Sequence, residues 1–319
     1  MATEQSDEGC PEVYDLPIEV LGSCVPWFET FLRRNGRNVP PGSALAVALS
    51  KLADLRARAA EPLTFPSSVE ALRYFQDAHG ADFVTKLLHM GTSAGLEIPP
   101  ARLAEVLKGD PILTRPGASS LERNRTLEVL LACAAATFSE QVRFEEPDVV
   151  CTFGSQDFFI PIKVVYSEAK LFQRIKDGVD QAAARPHGGV VVIDVVSILP
   201  TQRLFDLTAA TDFSSLSDAG NWLREWSRVW HEQLPLNDWS AAIRRRTNKP
   251  IGVAFFLPLV VMVHGLPRTC WLLDMPLRST NGPDYDFTTG LLQCFDGILG
   301  YCPPALSEDG SSSANGPAS

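Results

Sequence analysis

Apolar residues recur at three- and four-residue intervals through the first third of the chain, which is the spacing of amphipathic helices. Prolines at 40–41, between 62 and 66, and at 99–100 interrupt this pattern and separate one predicted helix from the next. The predicted helical segments cover residues 18–34, 44–60, 68–90 and 101–109. We therefore expect an all-helical N-terminal region over residues 13–115, preceded by a disordered tail over 1–12.

The pattern changes after residue 120, where helical and β-rich segments begin to alternate. A helix over 121–138 is followed by strands within 141–144, 147–153 and 158–167, an amphipathic helix that Ser167 is placed to cap, and a β-branched run at 188–199. This order, α-β-β-β-α-β, predicts an α/β (α+β) domain with a mixed sheet flanked by helices.

The same domain is predicted to continue to residue 306. Two more helices follow, one with a core-facing stripe of Trp222, Trp226, Val229 and Trp230, and then strands at 251–263 and 269–273. Residues 116–306 are therefore assigned to the α/β domain, with a linker near 110–120. The Gly- and Ser-rich stretch 307–319 is expected to be a disordered tail.

Charge is distributed unevenly along the 319 residues, whose net charge is −10. The first 19 residues carry six acids and no base, and the chain after Arg278 carries five acids and no base. The body between them is close to neutral, so local basic patches that bind phosphate are permitted but not predicted.

Cysteine usage and hydropathy indicate a cytoplasmic protein. The seven cysteines are scattered without a Cys-x-x-Cys motif, which favours reduced thiols over a disulfide framework. The chain opens on polar and acidic residues instead of a signal sequence, and its longest apolar run, 251–266, is too short to span a membrane. We expect no membrane association.

Residues Gly91 to Gly95 match the G-x-S-x-G pattern of serine hydrolases, with Ser93 as the nucleophile. That motif requires a strand before the serine and a helix after it, whereas the preceding apolar residues have helical spacing. The pattern favours a helix end closed by glycine. A serine hydrolase that uses Ser93, Asp194 and His264 is a remote alternative.

Three residues in the α/β domain have the types and positions that metal-assisted phosphodiester hydrolysis needs. Asp148 begins one strand, Lys163 lies on the next, and Glu128 is on the preceding helix, on its apolar face. Carboxylates can bind a hard divalent cation that activates water, and a lysine can orient that water and stabilise charge on the phosphate. Each has a simpler explanation: Asp148 as a turn acid, Lys163 as a strand-edge charge, and Glu128 as a partner of Arg125 or Asn124.

Glu128, Pro147-Asp148 and Lys163 on an αβββαβ core resemble the PD-(D/E)XK, or restriction-endonuclease-like, nuclease superfamily. Gln181, in the helix after the lysine, resembles a glutamine found in some branches of that superfamily. The resemblance covers residues 121–198 and implies a Mg²⁺-dependent (or Mn²⁺-dependent) DNA nuclease. It implies that Asp148 and Glu128 bind the metal and that Lys163 positions the attacking water.

The sequence departs from the family pattern two residues before the lysine, where Pro161 replaces the second metal-binding acid. Proline offers no ligand and cannot donate to a sheet, so we expect the strand to be bulged or at an edge there. The acids that could substitute are Glu168, Asp194 and Asp157, the last of these about 20 Å along an extended strand from Lys163.

Two functions from different classes remain open at this point. The first is a metal-dependent nuclease acting on DNA, with Arg174 and the helix end Arg244, Arg245 and Arg246 as candidate nucleic-acid contacts. The second is a catalytically inactive binding or scaffold protein that keeps the nuclease fold, which the missing acid favours. A protein partner or a homo-oligomer is compatible with either function.

Overall fold

The computed structural model describes residues 21–57, 68–109, 120–145, 148–153, 156–198, 211–264 and 266–278. Within these ranges the chain forms eight helices and eight strands. The helices are α1 (Val25–Arg34), α2 (Ala44–Ala57), α3 (Ser68–Ser93), α4 (Pro100–Lys108), α5 (Ser120–Ala136), α6 (Glu168–Ala183), α7 (Leu216–Glu232) and α8 (Leu236–Arg246). The two predicted tails, the predicted boundary at 115–116 and the linker near 110–120, apart from Ser120, which begins α5, lie outside the described residues.

All eight strands belong to one mixed sheet. They are β1 (Gln141–Phe144), β2 (Val149–Phe153), β3 (Gln156–Ile160), β4 (Ile162–Val164), β5 (Gly189–Asp194), β6 (Asp212–Phe213), β7 (Ile251–Val263) and β8 (Leu266–Arg278). The order is β1-β2-β3-β5-β7-β6, with β4 beside β5 and β8 beside β7. The β1–β2, β2–β3 and β7–β8 pairs are antiparallel and the others parallel. The expected mixed sheet with flanking helices is confirmed.

Helices cover both faces of the sheet. The face formed by Val190, Val192 and Ala254 packs with α1 to α5 in one hydrophobic cluster. The opposite face, which includes Val191 and Ile193, packs with α6, α7 and α8 in a second cluster. Because β5 is buried on both faces, its sequence is apolar without alternation, as expected for a central parallel strand.

The helix α3 lies deep within the first layer and packs against α2, α5 and β7. Every residue from Phe75 to His89 is buried, including the ion pair between Asp82 and Lys86, whose carboxylate oxygen and ammonium nitrogen are 2.9 Å apart. Asp82 also accepts a hydrogen bond of 2.7 Å from the Gly22 backbone N–H. These contacts satisfy a carboxylate that would otherwise be costly to bury.

The strand predicted around Lys163 is interrupted at Pro161, where a bulge or an edge was expected. The Phe159 N–H donates to the Gly188 carbonyl, and the Pro161 carbonyl accepts from Val192 N–H at 2.9 Å. Proline has no N–H to donate between these two bonds, so the ladder with β5 is broken there. Of the described strands only β5 pairs with β4, because β2 begins at Val149, opposite Ile160. The strand therefore becomes a local edge directly after the proline.

Two local expectations are wrong. Ser167 stands at the N-cap position of α6, but its side chain makes no capping hydrogen bond. Val229, expected on the core-facing stripe of α7, is 43% exposed. The buried face of α7 instead passes through Leu223, Ser227 and Trp230.

None of the described helices is both long and apolar enough to cross a bilayer.

The Gly91–Gly95 segment closes α3, as predicted. Gly95 has φ +90°, and its N–H donates to the Thr92 carbonyl while the Leu96 N–H donates to the Gly91 carbonyl. This pair of bonds is the Schellman arrangement that ends many helices. Gly91 is needed for a different reason: a Cβ there would lie 2.7 Å from the Cα of Cys133 on α5. Both glycines of the motif thus have structural roles.

We expect Gly91→Ala to lower the free energy of unfolding by about 1–3 kcal/mol, because the added methyl group forces α3 and α5 apart. Gly220→Ala is the matched control, since a Cβ at this position in α7 meets nothing within 4 Å. The control should be neutral or stabilising by up to about 1 kcal/mol, because alanine favours helix more than glycine does. Urea denaturation of both variants measures the difference. Equal stabilities would contradict the close approach of α3 to α5.

Candidate nuclease-like site

The three sequence-predicted residues meet where the sheet becomes a local edge after Pro161. The Lys163 ammonium lies 3.4 Å from the Asp148 carboxylate and 3.0 Å from the Ile162 carbonyl oxygen, to which it donates. The side chains of Lys163 and Asp148 are 13% and 4% exposed. A carboxylate, a carbonyl oxygen and a lysine therefore converge in a largely dehydrated position.

Asp148 is positioned by the interruption of the strand. The register of β2 and β3 ends with Val149 opposite Ile160, so Asp148 comes next to Pro161. Past that point no described strand pairs with this side of β4, and the Ile162 N–H donates to the Asp148 carboxylate. Burial raises the pKa of Asp148 above its usual range, although the charge of Lys163 and this hydrogen bond act in the opposite direction.

Glu128 lies on α5 with its side chain completely buried. Its carboxylate accepts a hydrogen bond of 3.0 Å from Arg125, one turn earlier, and a second from Arg102 on α4. The pKa of Glu128 lies above its usual range, chiefly because the side chain is buried. The negative charge of Asp148 also raises this pKa, whereas the two arginines act in the opposite direction. The two carboxylates are therefore electrostatic neighbours, and the predicted pairing of Glu128 with Arg125 is present.

The three candidate substitute acids are in different surroundings. Asp194, at the end of β5, is in register with Val164 and is held by the buried Arg123. Glu168 is the exposed first residue of α6. Asp157 lies at the other end of the hairpin, with one carboxylate oxygen 2.6 Å from Arg143, which lowers its pKa. Of the three, only Asp194 is both buried and beside the strand that carries Lys163.

The remaining predicted residues are not brought together with Lys163. Gln181 is thirteen residues after the start of α6, about 20 Å along the helix from the end next to Lys163. The arginines of α8 lie at that far end, where Arg246 binds Asp180 at 2.7 Å. Arg174 is exposed, with Asp177 at 3.8 Å.

Two arginines in the site were not predicted from the sequence. Arg102 is 26 residues away from Glu128 and on another helix, so no local spacing pointed to it. Its guanidinium also lies over the Phe144 ring, 4.8 Å from the ring centre. Arg123 did carry a signal, since it precedes the buried Leu127 by four residues and so occupies the apolar face of α5.

The serine hydrolase residues do not form a triad. Ser93 ends α3, and its hydroxyl is 3.5 Å from the Nδ1 atom of His89 on the same helix. Asp194 is bound by Arg123, and its partner in the sheet, Phe256, is eight residues from His264 along β7. That separation is about 26 Å in an extended strand.

The donor atoms of the site are hard oxygens. Asp148, Glu128 and the Ile162 carbonyl are of the kind that Mg²⁺ and Mn²⁺ prefer, and such ions commonly retain several water ligands. Within the described ranges no group of three or more His, Cys, Asp or Glu side chains is placed to hold a metal. These donors suit such a cation in kind, and an ion bound there would need water and substrate to complete its coordination.

Comparison with protein-family models, with curated proteins and with solved structures gives no match for this chain.

We expect Asp148→Asn to raise the free energy of unfolding at pH 7. Because burial raises the pKa of Asp148 in the folded chain above its ordinary value of 3.8, ionisation destabilises the folded state as the pH rises through the folded pKa. The advantage of the variant over the wild type should therefore shrink as the pH falls toward 3.8. Urea denaturation between pH 7 and pH about 4 measures this trend.

Asp157→Asn is the control of opposite sign. The hydrogen bond from Arg143 lowers the pKa of Asp157, so its ionised form stabilises the folded chain. This variant should be less stable than the wild type at pH 7, and the difference should vanish as the pH falls below 3.8 through the folded pKa. If Asp148→Asn lost stability at pH 7 in the same way, Asp148 would be a structural ion-pair partner.

Proposed function

We propose that this protein is a metal-dependent phosphodiester hydrolase of the PD-(D/E)XK type that acts on nucleic acid, with DNA as the substrate. The observation that carries the proposal is the convergence of Glu128, Asp148 and Lys163. These residues are separated by 20 and 15 positions in the sequence, yet they surround one edge of the sheet. Glu128 lies on α5, Asp148 directly precedes β2, and Lys163 lies on β4, which is the order that the resemblance implies.

Asp148 and Glu128 would hold Mg²⁺ or Mn²⁺, together with the Ile162 carbonyl. When bound, the metal supplies a positive charge that lowers the pKa of a water molecule and neutralises the phosphate. Lys163 is placed to orient the attacking water and to stabilise the negative charge that develops on the phosphate oxygens. Its low exposure strengthens that electrostatic effect because little water screens it.

The arginines beside the carboxylates suit a phosphate-containing substrate. Arg125 is one-third exposed and Arg102 is partly exposed, so both can be approached from solvent. A guanidinium binds phosphate through two parallel hydrogen bonds, which positions the backbone of a nucleic acid. These two residues replace the arginines of α6 and α8 as the nucleic-acid contacts that we propose.

A second candidate is a nuclease-fold protein that binds nucleic acid without cleaving it. The observation in its favour is that protein cations already neutralise the acids of the site. Arg102 and Arg125 bind Glu128, Lys163 binds Asp148, and Pro161 stands where the family has another acid. Such a site attracts phosphate more readily than it attracts a divalent cation.

Cleavage assays distinguish the two candidates. We expect the wild-type chain to cleave single- or double-stranded DNA in the presence of Mg²⁺ or Mn²⁺. Asp148→Asn and Lys163→Ala should each reduce the rate by on the order of 100-fold or more, because each removes a group that stabilises the charge of the transition state. RNA substrates of the same sequence test the choice of DNA.

Asp157→Asn and Arg174→Gln are the controls, since both change a charge away from the site. They should retain the wild-type cleavage rate. If Asp148→Asn and Lys163→Ala cleaved as fast as these controls, the assignment of the site would be wrong. DNA binding without cleavage in either metal, unchanged by Asp148→Asn, would favour the second candidate.

A further inference from the structure

Arg123 is a buried arginine on α5 that uses only part of its hydrogen-bonding capacity. Its side chain is 0% exposed, and its Nε atom donates to the Asp194 carboxylate. The Nη1 and Nη2 atoms are also buried and have no hydrogen-bond partner among the described residues. A guanidinium has five N–H donors, four of them on these two nitrogens. Buried charged donors normally have hydrogen-bond partners, so these two nitrogen atoms require an explanation.

Both carboxylate oxygens of Asp194, the partner of Arg123, already accept a hydrogen bond. One oxygen of Asp194 accepts from Arg123, and the other accepts from the Val196 N–H at 3.0 Å. The carboxylate therefore holds the guanidinium by its Nε edge alone, and the two terminal nitrogens remain directed elsewhere. This arrangement fixes the orientation of the planar group before any ligand binds.

Arg123 borders the candidate site described above. It precedes Glu128 by five residues on α5, about 7.5 Å along the helix axis. Asp194, which holds it, is in register with Val164, the residue after Lys163. The unpaired donors of Arg123 thus lie beside the same end of β4 and β5 as the predicted catalytic lysine.

The charges around this locus favour an anion over a water molecule. The ion pairs described for the site contain four cations and three carboxylates, which leaves one excess positive charge among these residues even when every carboxylate is ionised. The cations are Arg102, Arg123, Arg125 and Lys163, and the carboxylates are Glu128, Asp148 and Asp194. A water molecule would satisfy hydrogen bonds but would leave this charge uncompensated.

We propose that Nη1 and Nη2 of Arg123 bind the oxygens of a phosphate group next to the phosphate that is held near Lys163. A guanidinium edge matches two oxygens of a tetrahedral phosphate, which a lysine ammonium does not reproduce. The inference rests on the proposed function for its substrate class, a nucleic-acid backbone. Because the guanidinium is closed from solvent, this proposal requires the surrounding side chains to move apart when the phosphate binds.

Binding measured without a divalent metal tests this subsite independently of cleavage. The probe is a fluorescently labelled DNA oligonucleotide, and the readout is its dissociation constant from anisotropy. Arg123→Lys retains a cation for Asp194 but lacks the planar pair of donors, so we expect it to weaken binding about 10-fold or more. Arg174→Lys, an equivalent change at an exposed position, should stay within about twofold of the wild type.

Inorganic phosphate identifies the source of the ligand. If the subsite takes free phosphate, millimolar phosphate should raise the melting temperature of the wild-type chain and compete with the oligonucleotide. If it takes only a backbone phosphate, Arg123→Lys should weaken DNA binding while phosphate leaves the melting temperature unchanged. Should Arg123→Lys fail to fold, oligonucleotides with one neutral methylphosphonate linkage test the wild-type chain instead: we expect weaker binding when the neutral linkage stands at either of two adjacent positions, and weakening at a single position would overturn the inference.

Two further results would overturn the inference: equal oligonucleotide binding by wild type and Arg123→Lys, or no binding of either probe by the wild type. Neither result depends on catalysis. A chain that cleaves DNA with an unchanged Arg123→Lys dissociation constant would keep the proposed function and lose this subsite. A chain that binds the oligonucleotide through Arg123 but never cleaves it would keep this subsite and lose the proposed hydrolase function.

Discussion

The burial of charged side chains along α5 is the constraint on which the arrangement of the site depends. A buried ion without a partner is strongly destabilising, so each buried charge fixes the element that supplies its counter-charge. Arg123 requires Asp194 and thereby ties the start of α5 to the end of β5. Glu128, further along α5, requires Arg102 and thereby ties the helix to α4 in the N-terminal helical layer. One helix thus connects the sheet, the candidate site and the helices before it.

Pro161 affects the geometry of the candidate site. Because it interrupts the ladder with β5 at the point where β2 begins opposite Ile160, it coincides with the change from interior strand to local edge. The Ile162 N–H is then available to a side chain, and Asp148 accepts it. Pro161 therefore belongs to the geometry that positions Asp148.

Local sequence patterns were enough to predict most helices and strands. They also predicted that Glu128, Asp148 and Lys163 lie near one another. The apolar run of β5 and the helical spacing of α3 each depend on burial that any nearby layer can supply. Arg102 could not be predicted, since its contact with Glu128 depends on how α4 packs against α5. Ser167 and Val229 were misjudged for a related reason: tertiary packing, more than position in the helix, decides whether a side chain caps or is buried.

Under the proposed function, the cations of the site link substrate binding to metal binding. Lys163 and Arg102 occupy the carboxylates that a divalent ion would need, so they compete with it in the free protein. A phosphate gives Arg102 and Arg125 an alternative anionic partner and reduces their hold on Glu128. Each ligand then favours the other, and thermodynamic linkage makes that effect reciprocal. The ion pairs that favour a binding protein when no substrate is present are therefore also compatible with the hydrolase. In the hydrolase, the metal site would be completed when nucleic acid binds and draws the arginines away from Glu128.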